Sequence, residues 1–141
     1  MTREIYVNLP VRDVAATRRF YAALGFGIDE AYSDEACVCV TVSPQIVVMA
    51  VARERFAGFT DREVADAHLT TEVVNCLSAT SREEVDALVA AAAANGGARL
   101  TASGVQEEMV GPEGDLMYGR AFSDPDGHIW EVLHVTVPAQ I

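Results

Sequence analysis

The 141-residue sequence lacks any uninterrupted apolar run near the roughly 18 residues that a bilayer-spanning helix needs. It also lacks a charged, apolar and small-residue leader pattern at its start, so it reads as a soluble, cytoplasmic protein. Basic residues are scarce: 10 Lys+Arg stand against 21 Asp+Glu, a formal charge of −11. That field repels phosphate backbones and anionic lipid, which argues against nucleic acid and membrane surfaces as partners, and it would attract a cationic ligand. Cysteine is sparse as well. Cys37, Cys39 and Cys76 leave an odd thiol in any disulfide scheme, as expected of a reducing compartment. Cys37 and Cys39 point the same way from one strand and read as small buried hydrophobes, with metal assistance or reactivity as the alternative. There is no Ser-His-Asp set, phosphate-cradling P-loop or dinucleotide fingerprint, and Gly25-Phe26-Gly27 ends a helix rather than opening one.

What is present is a pattern that occurs twice. At 50% hydrophobic, the chain can form one well-buried domain or two small fused halves. Glu4 to Leu9 alternate, with Ile5, Val7 and Leu9 on one face, and Pro10 is expected to end that strand. Asp13 can cap a helix with Val14, Thr17, Tyr21 and Leu24 at helical spacing, and Gly25 stops it. Strands are expected at Phe26 to Tyr32, Ala36 to Val42 and Ile46 to Ala52. A charged connector with a short helix follows, anchored by Phe56 and Phe59. Then Thr70 to Ala79 reads as a strand, and Ser81 with Glu84 as a capping box before Val85, Leu88, Val89 and Ala92. Gly96-Gly97 ends this helix, about one turn longer than the first. A strand at Ala98 to Ser103, a Gly- and Glu-bearing loop from Gly104 to Leu116 and a final hairpin complete the chain. The fold class is therefore α+β: β-α-β-β-β modules at 1–52 and 70–136, a connector at 53–69 and a tail at 137–141. One helix covers only one face of a four-stranded sheet. Two modules side by side, within one chain or across two, would curl their other faces into a cleft for a small molecule.

The closing hairpin, Met117 to Val135, carries the most chemistry. Asp124-Pro125-Asp126-Gly127 suits a type I turn, and a four-residue loop would pair Ser123 with His128. Phe122 would then lie opposite Ile129, Ala121 opposite Trp130, and Arg120 opposite Glu131. Tyr118, Arg120, Phe122 and Glu131 would share one face, with Arg120 and Glu131 forming either a structural cross-strand pair or a polar anchor at the bottom of an apolar cup. A one-residue slip would separate them. Tyr6, Asn8 and Tyr118 are candidate inward polar groups. Glu72 shares strand parity with Val74 and is either a rim ligand or base, or simply solvated. His68 falls in the connector, and His134 lies opposite in parity to Glu131 and reads as packed near the helix beside a core Trp130. The 104–116 loop, with Glu107, Glu108, Glu113 and Asp115, is either a lid or a solvated excursion.

The doubled pattern, the NLPVRDVAATRRFYAALGF opening and the MYGRAFSDPDGHIWEV close resemble the vicinal oxygen chelate superfamily. That superfamily includes glyoxalase I, bleomycin- and fosfomycin-resistance proteins and extradiol dioxygenases, and the chain is most similar to its small lactoylglutathione-lyase-like bacterial members. The resemblance implies a glyoxalase-like fold of two βαβββ modules with cup-shaped mixed sheets, a homodimer and a small-molecule ligand. In the enzymes a divalent metal chelates two adjacent oxygens and stabilises developing negative charge. The four ligand positions carry over to Tyr6, to Met49 or a residue beside it, to Val74 and to Glu131. Only Glu131, which would be the catalytic carboxylate, matches. The expectation is therefore a ligand site drawn from Tyr6, Asn8, Met49, Glu72, Val74, Tyr118, Arg120, Phe122 and Glu131, with no resident cofactor. A divalent metal would require ligands recruited from Glu72, His68 or a partner subunit. The functions implied are non-metal small-molecule binding, a metal-dependent lyase or isomerase of the lactoylglutathione lyase type, or capture of a cationic antibiotic by an acidic dimer.

Overall fold

Alternation in Ile5–Val11 (β1) leaves Tyr6 and Asn8 exposed while Leu9 and Val11 are buried. The computed structural model describes residues 1–104 and 108–136, and the chain divides between Thr70 and Thr71 into two units. In the first unit, β1 is followed by helix α1 (Val14–Ala23), strand β2 (Gly27–Ile28), a 3-10 turn (Glu30–Tyr32), strands β3 (Cys37–Ser43) and β4 (Ile46–Ala52), and helix α2 (Arg53–Ala57). The sheet order is β1-β4-β3-β2, with β1 parallel to β4.

Local chemistry accounts for most of these boundaries. The Asp13 carboxylate accepts from the Ala16 N–H at 3.0 Å and starts α1, which buries Thr17, Phe20 and Tyr21. Phe20 adds to the expected stripe, its ring meeting that of Tyr21 edge-on at 5.0 Å. Gly25, at φ 92°, takes the left-handed turn that ends the helix. Pro10 does not end β1: this strand lies at the sheet edge, where a residue without an N–H is tolerated. The strand expected at Phe26 to Tyr32 shrinks to β2, because the Asp29 carboxylate accepts from the Ala31 N–H at 3.1 Å and starts the 3-10 turn. Arg53 fastens the connector by donating to the carbonyls of Ala65 and Val64 at 3.0 and 3.2 Å.

The second unit contains β5 (Val74–Ser78), α3 (Arg82–Ala94), β6 (Ala98–Leu100), β7 (Met109–Val110), β8 (Leu116–Ser123) and β9 (Ile129–Thr136). Its sheet order is β5-β9-β8-β6, with β7 also paired to β8. Ser81 accepts from the Glu84 N–H at 3.0 Å, while the Glu84 carboxylate reaches back to the Thr80 N–H and hydroxyl. Val85, Leu88, Val89 and Ala92 are buried, as their spacing predicts. Three expectations change. β5 begins only at Val74, which leaves Glu72 exposed ahead of the strand and removes its sheet parity. β6 stops at Leu100. Part of the 104–116 segment is strand rather than loop: β7 turns into β8 through a Gly111 N–H bond to the Asp115 carbonyl at 2.7 Å. Glu107 and the 137–141 tail lie outside the described residues.

The main correction is the hairpin register. Ser123 pairs with Ile129, Phe122 with Trp130, Ala121 with Glu131, and Arg120 with Val132. The type I turn over Asp124 to Gly127 is followed by one more loop residue than expected. Gly127 adopts φ 88°, the Asp124 N–H donates to the His128 carbonyl at 3.0 Å, and Asp124 faces His128 across the loop. Arg120 and Glu131 therefore lie on opposite faces and do not pair. Asp124, 1% exposed, holds this geometry by accepting from the N–H groups of Asp126 at 3.0 Å and His128 at 2.9 Å. Asp124→Ala should leave both N–H donors without their acceptor and cost about 2–6 kcal/mol in denaturant unfolding, at about 1–3 kcal/mol per unmet buried group. Asp124→Asn keeps an acceptor oxygen and should recover most of that loss. An alanine variant as stable as the parent would count against this role.

Candidate functional site

The corrected register sorts the second sheet's residues into two groups. Tyr118, Arg120 and Phe122 share a face with His134, Val132 and Trp130, and that face lies under α3. There the Tyr118 hydroxyl donates to Asp86 of α3 at 2.7 Å and accepts from Arg120 Nη2 at 2.7 Å. Phe122 and Trp130 are core, at 0% and 2% exposure. His134 Nδ1 lies 3.0 Å from the Ala79 carbonyl oxygen, in keeping with a histidine satisfied by packing. Three of the expected ligand-binding residues, Tyr118, Arg120 and Phe122, thus belong to the helix side and not to the face of Glu131.

Glu131 points the other way, with Ala121 beside it on β8 and Cys76 beside it on β5. Val74, two residues before Cys76, shares this face, so Val74 and Glu131 are brought together as expected. Ser103 Oγ donates to Glu131 Oε2 at 2.5 Å. The backbone at Gly104 also closes on the carboxylate, since a Cβ there would sit 3.3 Å from both of its oxygens. Burial pushes the Cys76 thiol above its ordinary pKa, and the Glu131 charge adds to the shift. Ser103, Gly104 and Cys76 were not expected as neighbours of Glu131. Cys76 is legible only once the parallel pairing of β5 with β9 is known, and no local sequence signal marks the other two.

In the first unit, Tyr6, Asn8 and Met49 fall on one face as expected, and the ladder adds Cys37 and Cys39: Asn8 pairs with Met49, which pairs in turn with Cys39. Both thiols are buried and their pKa values are raised by desolvation, which suits inert packing. The Tyr6 hydroxyl donates to Glu4 Oε2 at 2.5 Å, and that bond raises its pKa. Asn8 Nδ2 donates to the Tyr6 carbonyl at 3.3 Å. His68 stays in the connector, exposed, its backbone N–H held by the Asp66 carboxylate at 3.0 Å.

Comparison with known proteins places these faces in context. A hypothetical protein from S. aureus matches with 30% identity over 95% of both chains and a TM-score of 0.73. The family model for the bleomycin resistance protein-like N-terminal region matches residues 3–43. A glyoxalase/bleomycin resistance protein/dioxygenase family enzyme from Burkholderia phytofirmans shares the fold at 20% identity, with 93% of this chain and 97% of that one covered and a TM-score of 0.69. The chain belongs to one family with the S. aureus protein and has the fold of the glyoxalase/bleomycin resistance proteins. A bleomycin resistance determinant encoded on the transposon Tn5 has the same fold at 21% identity, covering 94% of this chain and 98% of that one with a TM-score of 0.59. No protein of curated function matches the sequence.

In the superfamily's enzymes the metal is held by oxygen and imidazole donors. The four positions that the resemblance implies, Tyr6, Met49 or a residue beside it, Val74 and Glu131, offer a phenol bonded to its neighbour Glu4, a thioether or aliphatic group, an isopropyl group and one carboxylate. Methionine and valine present no hard donor, so these residues do not fit a magnesium, zinc or nickel site of the usual kind. Among the described residues no three His, Cys, Asp or Glu side chains converge as a ligand set.

The contact between Cys76 and Glu131 can be read chemically. The raised pKa keeps the Cys76 thiol protonated to higher pH, so its alkylation by iodoacetamide should have a midpoint above that of an unperturbed thiol. Glu131→Gln removes the negative neighbour and should move that midpoint down and speed modification near pH 8. An unchanged profile would show that the two groups do not interact.

Proposed function

We propose that this protein is a member of the vicinal oxygen chelate superfamily that binds a small molecule on the sheet face carrying Glu131, without the superfamily's divalent metal. The observation that carries the reading is the donor set: of the four positions at which the enzymes hold their metal, Glu131 alone supplies a hard anionic ligand. That carboxylate accepts from Ser103 at 2.5 Å and stands beside aliphatic and thiol surface from Val74, Ala121 and Cys76. A half-buried carboxylate in such surroundings can take a hydrogen bond or a cationic group from a ligand.

The deciding experiment is metal analysis of untagged protein purified without chelator, followed by titration with nickel, zinc, iron, manganese and magnesium while thermal stability is recorded. The expected outcome is a substoichiometric metal content and no saturable rise in Tm, since a ligand that binds only the folded state must raise it. Tight binding near one metal per chain would overturn the reading and favour a lyase or isomerase reaction with ligands recruited beyond Glu131.

A second reading has a specific observation in its favour. The formal charge of −11 would draw a cationic antibiotic, and a bleomycin resistance determinant shares the fold. Capture by a homodimer of this chain predicts saturable binding of a bleomycin-type cationic glycopeptide that weakens several-fold between low and physiological salt. Binding that is insensitive to salt, or absent, would remove this reading.

A further inference from the structure

The helix side of the second sheet contains a cavity of about 330 Å³ lined by Asp86, Val89, Ala90, Ala93, Arg99 and Arg120. Four of these residues come from α3 at the spacing of a single helix face. The two arginines come from neighbouring strands. Arg99 lies opposite Phe122 in the β6–β8 ladder, and Arg120 precedes Phe122 by two residues, so both side chains leave the sheet on the same side. Such diagonal positions are about 7–8 Å apart, close enough for two long guanidinium side chains to reach one anion. Each of the chain's basic side chains is an arginine, and two of the 10 meet here in a protein carrying 21 acids.

The charges around the cavity do not cancel. Arg82, above the Tyr118 ring, is paired with Glu108 at 2.9 Å and needs no further anion. Arg120 is held in place by its bond to the Tyr118 hydroxyl, by stacking at 4.4 Å from that ring's centre, and by donation to the Gly119 carbonyl at 3.2 Å. Its Nε lies 3.9 Å from Asp86, the one acid lining the cavity among the described residues. Arg99 has no carboxylate partner among the described residues. Among the described residues, two guanidinium groups and one carboxylate give the lining a charge of about +1, which suits a monoanion; a phosphate dianion would meet repulsion from Asp86. The remaining wall is aliphatic.

We propose that this cavity binds a small organic monocarboxylate, its carboxyl group gripped by Arg99 and Arg120 and its hydrocarbon body lying on Val89, Ala90 and Ala93. Guanidinium forks match the planar carboxylate, and the pre-set Arg120 loses little freedom on binding. The site lies on the opposite face of the sheet from Glu131 and does not depend on what binds there.

The test is titration of the whole protein with isobutyrate and with benzoate, following the arginine side-chain N–H signals by NMR, with isobutyramide and inorganic phosphate as comparison probes. Saturable binding is expected for at least one of the acids, with the amide and phosphate at least tenfold weaker. Arg99 is exposed, so Arg99→Gln should leave the fold intact while weakening binding tenfold or more. Ala93→Leu keeps both cations but fills the apolar wall, and should exclude benzoate more than acetate. Asp86→Asn should tighten carboxylate binding. No saturation by either acid, equal binding of isobutyramide, a preference for phosphate, or full-strength binding by the Arg99→Gln protein would each overturn the proposal.

Discussion

The five-residue loop from Asp124 to His128 decides the chemistry of the second unit. Its buried Asp124 carboxylate bonds two backbone N–H groups, and Gly127 supplies the one left-handed residue that the loop requires. Side chains in a strand alternate with a period of two, so a single residue in this loop determines which side of the sheet every residue of β9 shares with β8. With the observed loop, Trp130 and Val132 join Phe122 under α3, while Glu131 turns away. A loop one residue shorter would place Glu131 beside Arg120 and Trp130 beside Ala121.

The two faces that result have different electrostatic settings. On the helix side, Arg120, Tyr118 and Asp86 form a bonded cluster in which the two charged groups share the tyrosine hydroxyl. On the other side, Glu131 has a serine hydroxyl and a close-approaching glycine backbone as neighbours, and Cys76 feels its charge.

The fold and the side chains at the positions that the resemblance assigns to a metal point in different directions, and both follow from the chain. The likeness of fold rests on architecture: strand order, crossover, helix placement and the closing hairpin. Metal binding rests on four side chains that the fold only positions. Replacing a histidine by valine costs the sheet nothing, since valine is a good strand former, so a scaffold of this kind can lose a cage and remain intact. Tyr6, Met49 and Val74 are acceptable strand residues for the same reason.

Much of the architecture was legible from local signals. Asp13 and Ser81 mark the two helix starts, Gly25 and Gly96-Gly97 their ends, and the Val85, Leu88, Val89 and Ala92 stripe its buried face, because capping and amphipathic spacing are short-range effects. The repeated β-α-β-β-β order, the family resemblance and the parity of residues within each strand were equally available. Pairing between strands was not. Whether Pro10 interrupts β1 depends on β1 being an edge, and whether Arg120 meets Glu131 depends on a loop that accommodates four or five residues with the same turn signal. The placement of Ser103 against Glu131 and of Asp86 against Tyr118 joins residues 28 and 32 positions apart, a separation at which no periodicity in the sequence carries information. The sequence by itself determined most of the elements, their order and the inward or outward sense of residues along their own strands, since these follow from nearest-neighbour sterics and hydrogen bonding. Tertiary structure alone decided which strands share a face and which charged groups meet, because cross-strand register is set by loop geometry and by packing of the whole sheet against its helix.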